Sequence, residues 1–212
     1  MKSTFPTLES LSVAVAADRV NGGYVKQAEY GDDYKTVTRK ANKYMVMDHI
    51  KGNELLTVTD VDRKSADTLL THFRGYMMLQ LAGKLNEFQQ TVFGVIAKDE
   101  ISIKNQYECS IVSCLPKVYR TDLQRKELDA KKRSSTPIQE DNFRGEIIIE
   151  ACRYSTYYDK FRITARAENK ILDFWYRESL EQATGMPYMI KGKVKARRGD
   201  GTTQLNYVKI TG

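Results

Sequence analysis

The apolar residues of this chain change period part-way along it. Before Pro116 they recur every three to four positions, and beyond Pro137 they alternate at every second one. Spacing near 3.6 belongs to helices with one buried face and spacing of 2 to half-buried strands, so the switch demands two structurally different halves. In the first half, Ala66, Leu69, Leu70, Phe73, Tyr76, Met77 and Leu81 form one helical stripe that should end near Gly83, with Asp60 or Asp62 as its N-terminal cap. Leu85, Phe88, Val92 and Ile96 repeat the pattern over a second helix, and a third carries Ile111, Val112 and Leu115 until Pro116 stops it. A shorter helix runs from Ala41 to Ile50 and leaves through a left-handed exit at Gly52-Asn53. Residues 1–40 are poorly defined by pattern. Leu8 to Val20 has the length of a short helix, and Asn21-Gly22-Gly23 and Gly31-Asp32-Asp33 have turn composition.

In the second half, Glu146 to Ala151, Phe161 to Arg166, Lys170 to Tyr176, Met189 to Arg197 and Thr203 to Ile210 read as five strands. Tight turns fall at Glu168-Asn169 and Gly199-Asp200-Gly201. Glu178 to Thr184 is long enough for one or two helical turns between the third and fourth strands, ended by Gly185 and Pro187. Thr121 to Ser135 contains few apolar side chains and makes either a solvated helical extension or a charged linker, with Ser134-Ser135-Thr136-Pro137 at the boundary. The expected organisation is α+β: an ill-defined segment 1–40, a helical domain 41–120, a linker 121–140 and a β domain 141–212.

Charge is divided the same way. Met1 to Pro116 carries 14 Lys and Arg against 14 Asp and Glu, whereas Lys117 to Gly212 carries 20 against 13 and so holds the whole net charge of +7. A local excess of this kind is a footprint for a polyanion, although acidic proteins and membrane surfaces also fit it. Lys191, Lys193, Lys195 and Arg197 alternate with Ile190, Gly192, Val194 and Ala196, which places four cations on one face of a strand. Either an anion lies nearby or the lysines guard an exposed edge. No apolar run approaches the ~20 residues that span a bilayer, and the opening residues lack a signal-peptide pattern, so the expectation is no membrane and a cytoplasmic location. Cys109, Cys114 and Cys152 lack metal-ligand spacing, and neither a metal nor a cofactor is expected.

Five strands with a short helix between the third and fourth resemble the OB fold, a small Greek-key barrel that commonly binds oligonucleotides. The final segment, KGKVK followed by a glycine turn and TQLNYVKI, is similar to the last two strands of OB domains in single-stranded nucleic-acid-binding proteins. There a G-x-V-K strand leads to a T-x-L-x-x-V-K strand, and Gly192, Val194, Lys195, Thr203, Leu205, Val208 and Lys209 occupy those positions. With the helical region ending in LPKVYR and the charged linker, Ala41 to Gly212 resembles small tailed-bacteriophage proteins that carry an OB domain and act around DNA replication. The turn AENK departs from the D-x-x-G-N turn frequent before the third strand, which leaves the register of that strand open.

The resemblance implies a ligand track over strands 2 and 3 and the loops joining strands 1 to 2 and 4 to 5. With Phe161, Ile163 and Ala165 pointing inward, Lys160, Arg162 and Arg166 point outward. Tyr157 and Tyr158 in the first loop and Trp175 on strand 3 offer stacking surfaces, and Lys195, Arg197 and Arg198 lead into the second loop. Asp173 shares the face of Trp175 and would repel phosphate unless Arg162 or another cation lies beside it. The expected function is non-enzymatic binding of single-stranded DNA, with RNA left open, in phage replication or recombination within the host cytoplasm. The helical half would serve replication proteins or self-association. The alternative is an OB adaptor or virion component that binds protein. No Walker loop, HExxH or GxSxG is present; His49 and His72 lie in helical patterns, and capping and solvation account for Asp60, Asp62 and Asp67.

Overall fold

The computed structural model describes residues 4–32, 34–102, 104 and 106–211, so Asp33 of the expected Gly31-Asp32-Asp33 turn lies outside the described residues. The chain divides into two compact units, Met1–Asp122 and Leu123–Gly212.

At the centre of the first unit is α1 (Thr7–Val20), in which Leu11, Val13, Ala14, Ala16 and Ala17 are all buried. A helix enclosed on nearly every side has no polar stripe, so periodicity gives little sign of it and residues 1–40 look ill-defined. The hydroxyls of Ser10 and Ser12 donate to the carbonyls of Pro6 and Leu8 at 2.9 and 3.0 Å, which satisfies them without outside partners. Against α1 pack α2 (Asn42–Lys51) and α3 (Asp60–Arg74). Helix α2 ends at Gly52, whose φ of 76° is the left-handed exit.

Helix α3 is capped by Thr59, not by Asp60 or Asp62. The Thr59 hydroxyl accepts from the Asp62 amide while the Asp62 carboxylate accepts from the Thr59 amide, a reciprocal capping box. The apolar stripe is interrupted at Gly75, where α4 (Tyr76–Leu81) begins. The break changes the helical phase, and Met77 and Leu81, expected on the buried face, are exposed. After α5 (Glu87–Ile96), the long α6 (Gln106–Arg133) passes through Pro116 without stopping. The ring is buried, and the Ser113 hydroxyl and Cys114 thiol donate to the carbonyls of Ser110 and Ile111 in the preceding turn. An interior proline costs a helix about 3 kcal/mol, and burial of Ile111, Val112 and Leu115 around it offsets that. Of the two alternatives for residues after 121, the structure takes the helical extension as far as Arg133. Two antiparallel ribbons, β1 (Thr4–Pro6) with β4 (Glu100–Ser102) and β2 (Glu29–Tyr30) with β3 (Val37–Arg39), are too short to leave an alternating signature. Among the described residues no helix is long and apolar enough to cross a membrane.

The second unit is a closed five-stranded barrel of β5 (Asn142–Ser155), β6 (Lys160–Ala167), β7 (Lys170–Tyr176), β8 (Pro187–Arg197) and β9 (Thr202–Ile210). Its order is β5-β6-β7-β9-β8 with closure of β8 onto β5, and every neighbouring pair is antiparallel except β7 with β9. This is the OB arrangement, and the chain is α+β. Ile147, Ile149, Ile163, Leu172, Phe174, Ile190 and Leu205 fill the interior. Strand β5 closes the barrel by pairing β8 through Asn142–Ile148 and β6 through Ile148–Ser155, and a bulge between Ile149 and Ala151 bends it between the two.

One connection is shorter than expected, and another settles a register that the sequence left open. Between β7 and β8 there is a single 3-10 turn, Glu181–Ala183, in place of a longer helix, and the segment rests on the barrel core through buried Ala183 and partly buried Leu180. In the AENK turn Glu168 adopts φ 51°, doing without glycine, and the register of β7 is Ile163 with Phe174, Ala165 with Leu172 and Ala167 with Lys170.

Candidate functional site

On the outer surface of the barrel a groove of about 630 Å³ crosses β6, β7 and β9. Its floor is formed by Phe174 and Leu205, both inward-packed, and its walls carry Tyr158, Lys160, Arg162, Trp175, Lys195 and Arg198. Six of the nine residues expected to form the site therefore meet in one place. Alternation on β6 and β7 brings this about: with Ile163 and Phe174 turned into the core, Arg162 and Trp175 emerge side by side as a register pair on the outer face.

Asp173 lies within the groove at 2 % exposure and has the neighbours it needs. One carboxylate oxygen accepts from the Thr164 hydroxyl at 2.7 Å, and the other accepts from the guanidinium of Arg162 and, at 3.2 Å, from that of Arg198. Arg198 also donates to the Gln204 side chain at 3.2 Å. A buried carboxylate holding two arginines leaves a net positive charge and fixes both planar donor groups in direction. Each guanidinium has five N–H donors, so hydrogen-bonding capacity toward a second anion remains. The Lys160 and Lys195 amines have no hydrogen-bond or ion-pair partner among the described residues.

The aromatic side of the groove is a chain of rings. Tyr158 lies 4.7 Å from Trp175, centroid to centroid, and Tyr157 stands edge-on to Tyr158 at 4.8 Å. Tyr157 is 86 % exposed and stands outside the groove lining. The loop carrying these tyrosines is pinned at its base, where the Tyr154 hydroxyl donates to Asp159 at 2.6 Å. That bond to a carboxylate raises the pKa of the phenol.

Two expected residues serve the fold. Arg197 donates to the backbone carbonyls of Ile138, Gln139 and Glu140 at 2.7, 2.7 and 3.1 Å, strapping the entering chain to the barrel. Arg166 donates to Glu150 at 2.9 Å, and Lys131 reaches the other oxygen of the same carboxylate at 2.8 Å. Burial favours the neutral form of Glu150, but these two cations outweigh it and lower its pKa. Lys191 and Lys193 are exposed on β8 as alternation requires and do not line the groove.

Comparison with protein-family models, curated protein sequences and solved structures finds no match. The function must be read from the groove itself.

One groove residue, Tyr207, has no counterpart among the expected ones. It is 83 % exposed and holds φ 54°, a left-handed conformation costly for a bulky side chain. The cause is a bulge: β8 and β9 change register between Lys191 and Lys193, opposite Asn206 to Lys209. The sequence does carry the signal. Thr203 and Leu205 point inward, and the next inward apolar residues are Val208 and Ile210, so the alternation slips by one across Asn206-Tyr207.

The loop from β8 to β9 is anchored from the far side. Ser135 donates its hydroxyl to the Gly201 carbonyl at 3.0 Å and accepts from the Ile171 amide at 2.8 Å. Gly201, at φ 84°, lies so close to the end of α6 that a Cβ would sit 2.6 Å from the Lys132 carbonyl oxygen and 2.7 Å from that of Ser135. Gly199 has open space around it.

Proposed function

We propose that the barrel binds single-stranded nucleic acid along this groove without catalysis, capturing phosphates by charge and bases by stacking. The observation that carries the proposal is the meeting of unpartnered lysines, oriented arginines and exposed aromatic rings over an apolar floor. A phosphate backbone can pair with Lys160, Lys195, Arg162 and Arg198 while bases stack on Trp175, Tyr158 and Tyr207, each stacked base contributing about 1–3 kcal/mol. Because every base has an aromatic face and the cations address phosphate, this recognition is tolerant of sequence. The chemistry suits single-stranded DNA as substrate, with a role in phage replication or recombination carried by resemblance alone.

The test is quenching of Trp175, the single tryptophan, by a short oligo-dT, read alongside fluorescence polarisation of labelled DNA. Four cations offset by Asp173 should give log K against log salt a slope of about −2 to −3. Polarisation without quenching would move the site away from Trp175. Absence of binding at low salt would overturn the proposal in favour of a protein-binding adaptor.

A further inference from the structure

Arg162 stands at the junction of two depressions in the second unit. Beside the main groove lies a smaller one of about 140 Å³, between the last turns of α6 and the outer face of β5 and β6, which Arg162 also lines. Arg125, Asp129 and Lys132 reach it from one side of the helix, following the i, i+4, i+7 spacing of a single face, and Arg153 and Thr164 reach it from the strands. The pairing of Lys131 and Arg166 on Glu150 ties this part of α6 to the sheet. Asp129 is the only acidic residue lining the depression, against four cations.

Arg153 and Arg162 are direct partners in the β5–β6 ladder, so two guanidinium groups project from the same face at adjacent positions. Like charges so placed repel unless an anion separates them. Asp173 answers Arg162, whereas Arg153 has no hydrogen-bond or ion-pair partner among the described residues. No aromatic side chain lines this depression, so it can address phosphates but has nothing on which to stack bases.

We infer that a strand lying in the main groove continues past Arg162 into this second depression, where Arg153 and Lys132 hold its phosphates. The inference rests on the proposed function and lengthens the site from the barrel face onto the end of α6. The added contacts are blind to base identity and are made only by strands long enough to reach them.

The experiment compares the full chain with an Arg153→Ala/Lys132→Ala double variant on oligo-dT of about 6 and about 20 nucleotides, bracketing the ~4–16 nucleotides covered by single OB folds. The variant should bind the long strand about ten-fold more weakly, bind the short strand as the original does, and show a salt slope on the long strand shallower by about 1.4. Equal loss on both lengths, or no loss on the long one, overturns the extension while leaving the groove assignment standing. Failure of the original protein to bind either strand at low salt overturns both. Arg153→Glu, which leaves α6 untouched, should reproduce the length-dependent loss if Lys132→Ala lowers the melting temperature; an unchanged long-strand affinity, or the same fold-loss on both lengths, in that variant overturns the extension as well.

Discussion

Gly201 and Gly199 sit two residues apart in one loop, and replacing each by alanine should have opposite consequences. At Gly201 the backbone φ is 84°, so any L side chain starts with a penalty of about 1 kcal/mol. The new Cβ would also lie 2.6 and 2.7 Å from the carbonyl oxygens of Lys132 and Ser135. Both are backbone atoms that cannot swing aside, and overpacking of that kind adds about 1–3 kcal/mol. Gly201→Ala should therefore destabilise the barrel unit by about 2–4 kcal/mol. At Gly199 a Cβ meets nothing within 4 Å and the backbone has no unusual φ, so Gly199→Ala should be neutral or stabilising by up to about 1 kcal/mol. Urea unfolding followed by Trp175 emission isolates the effect, because the only tryptophan lies on β7 of the barrel. With a slope of about 1 kcal/mol per molar urea, the Gly201→Ala midpoint should fall by about 2 M or more. Midpoints that agree for the two variants, or a larger fall for Gly199→Ala, would refute the steric reasoning. The loop also carries Arg198, so Gly201→Ala should weaken oligonucleotide binding at urea concentrations where the barrel remains folded.

Three other outcomes follow from single side chains. Asp62 is held at a pKa of about 2, chiefly by its bond to Arg19, with the Thr59 bonds overcoming the opposing effect of burial. Its folded pKa lies below the unfolded 3.8, so it stabilises the protein above about pH 4 and that contribution, about 2 kcal/mol, is lost as pH falls from about 4 to 2; Asp62→Asn should flatten this acid dependence in denaturant melts monitored by helical circular dichroism. Tyr207→Gly should relieve a left-handed residue and stabilise the barrel by about 1 kcal/mol while weakening oligo-dT binding by about 1–3 kcal/mol, and a stability loss in urea melts would contradict the strain assigned to that bulge. Arg197→Ala should cost about 1–3 kcal/mol of barrel stability through three abandoned carbonyls, leaving the salt slope of binding unchanged, whereas Lys195→Ala should do the reverse; titration and melting of both variants separate the roles.

Much of the barrel is legible in the chain because a β-strand writes its pattern locally. Inward Ile163, Ala165, Leu172 and Phe174 mark both strands and turn Arg162 and Trp175 outward without knowledge of any other segment. Helix α1 is expected at Leu8–Val20 from its length and stands at Thr7–Val20, but its pattern is faint for the opposite reason: buried on nearly all sides and built from Ala, Ser, Leu and Val, it shows little contrast between faces. The stop expected at Pro116 fails because a local rule about one missing N–H is outweighed by the packing of Ile111, Val112 and Leu115 in the first unit. Tyr207 stands between these cases. The slip in alternation from Leu205 to Val208 is present in the sequence, but that it delivers a ring to the groove depends on the neighbouring strand.

By itself the sequence determined the α-to-β switch, the five strands, the concentration of charge after residue 116 and the outward face of β6 and β7. All of these follow from spacings of two to four residues along the backbone. Which cations stand ready for an anion was decided only in three dimensions. Arg197 and Arg198 are adjacent in sequence, yet Arg197 is bound to a carbonyl 58 residues away and Arg198 points into the groove toward a carboxylate 25 residues away. A hydrogen bond acts over about 3 Å, so the fate of each charge depends on which distant segment barrel closure brings beside it.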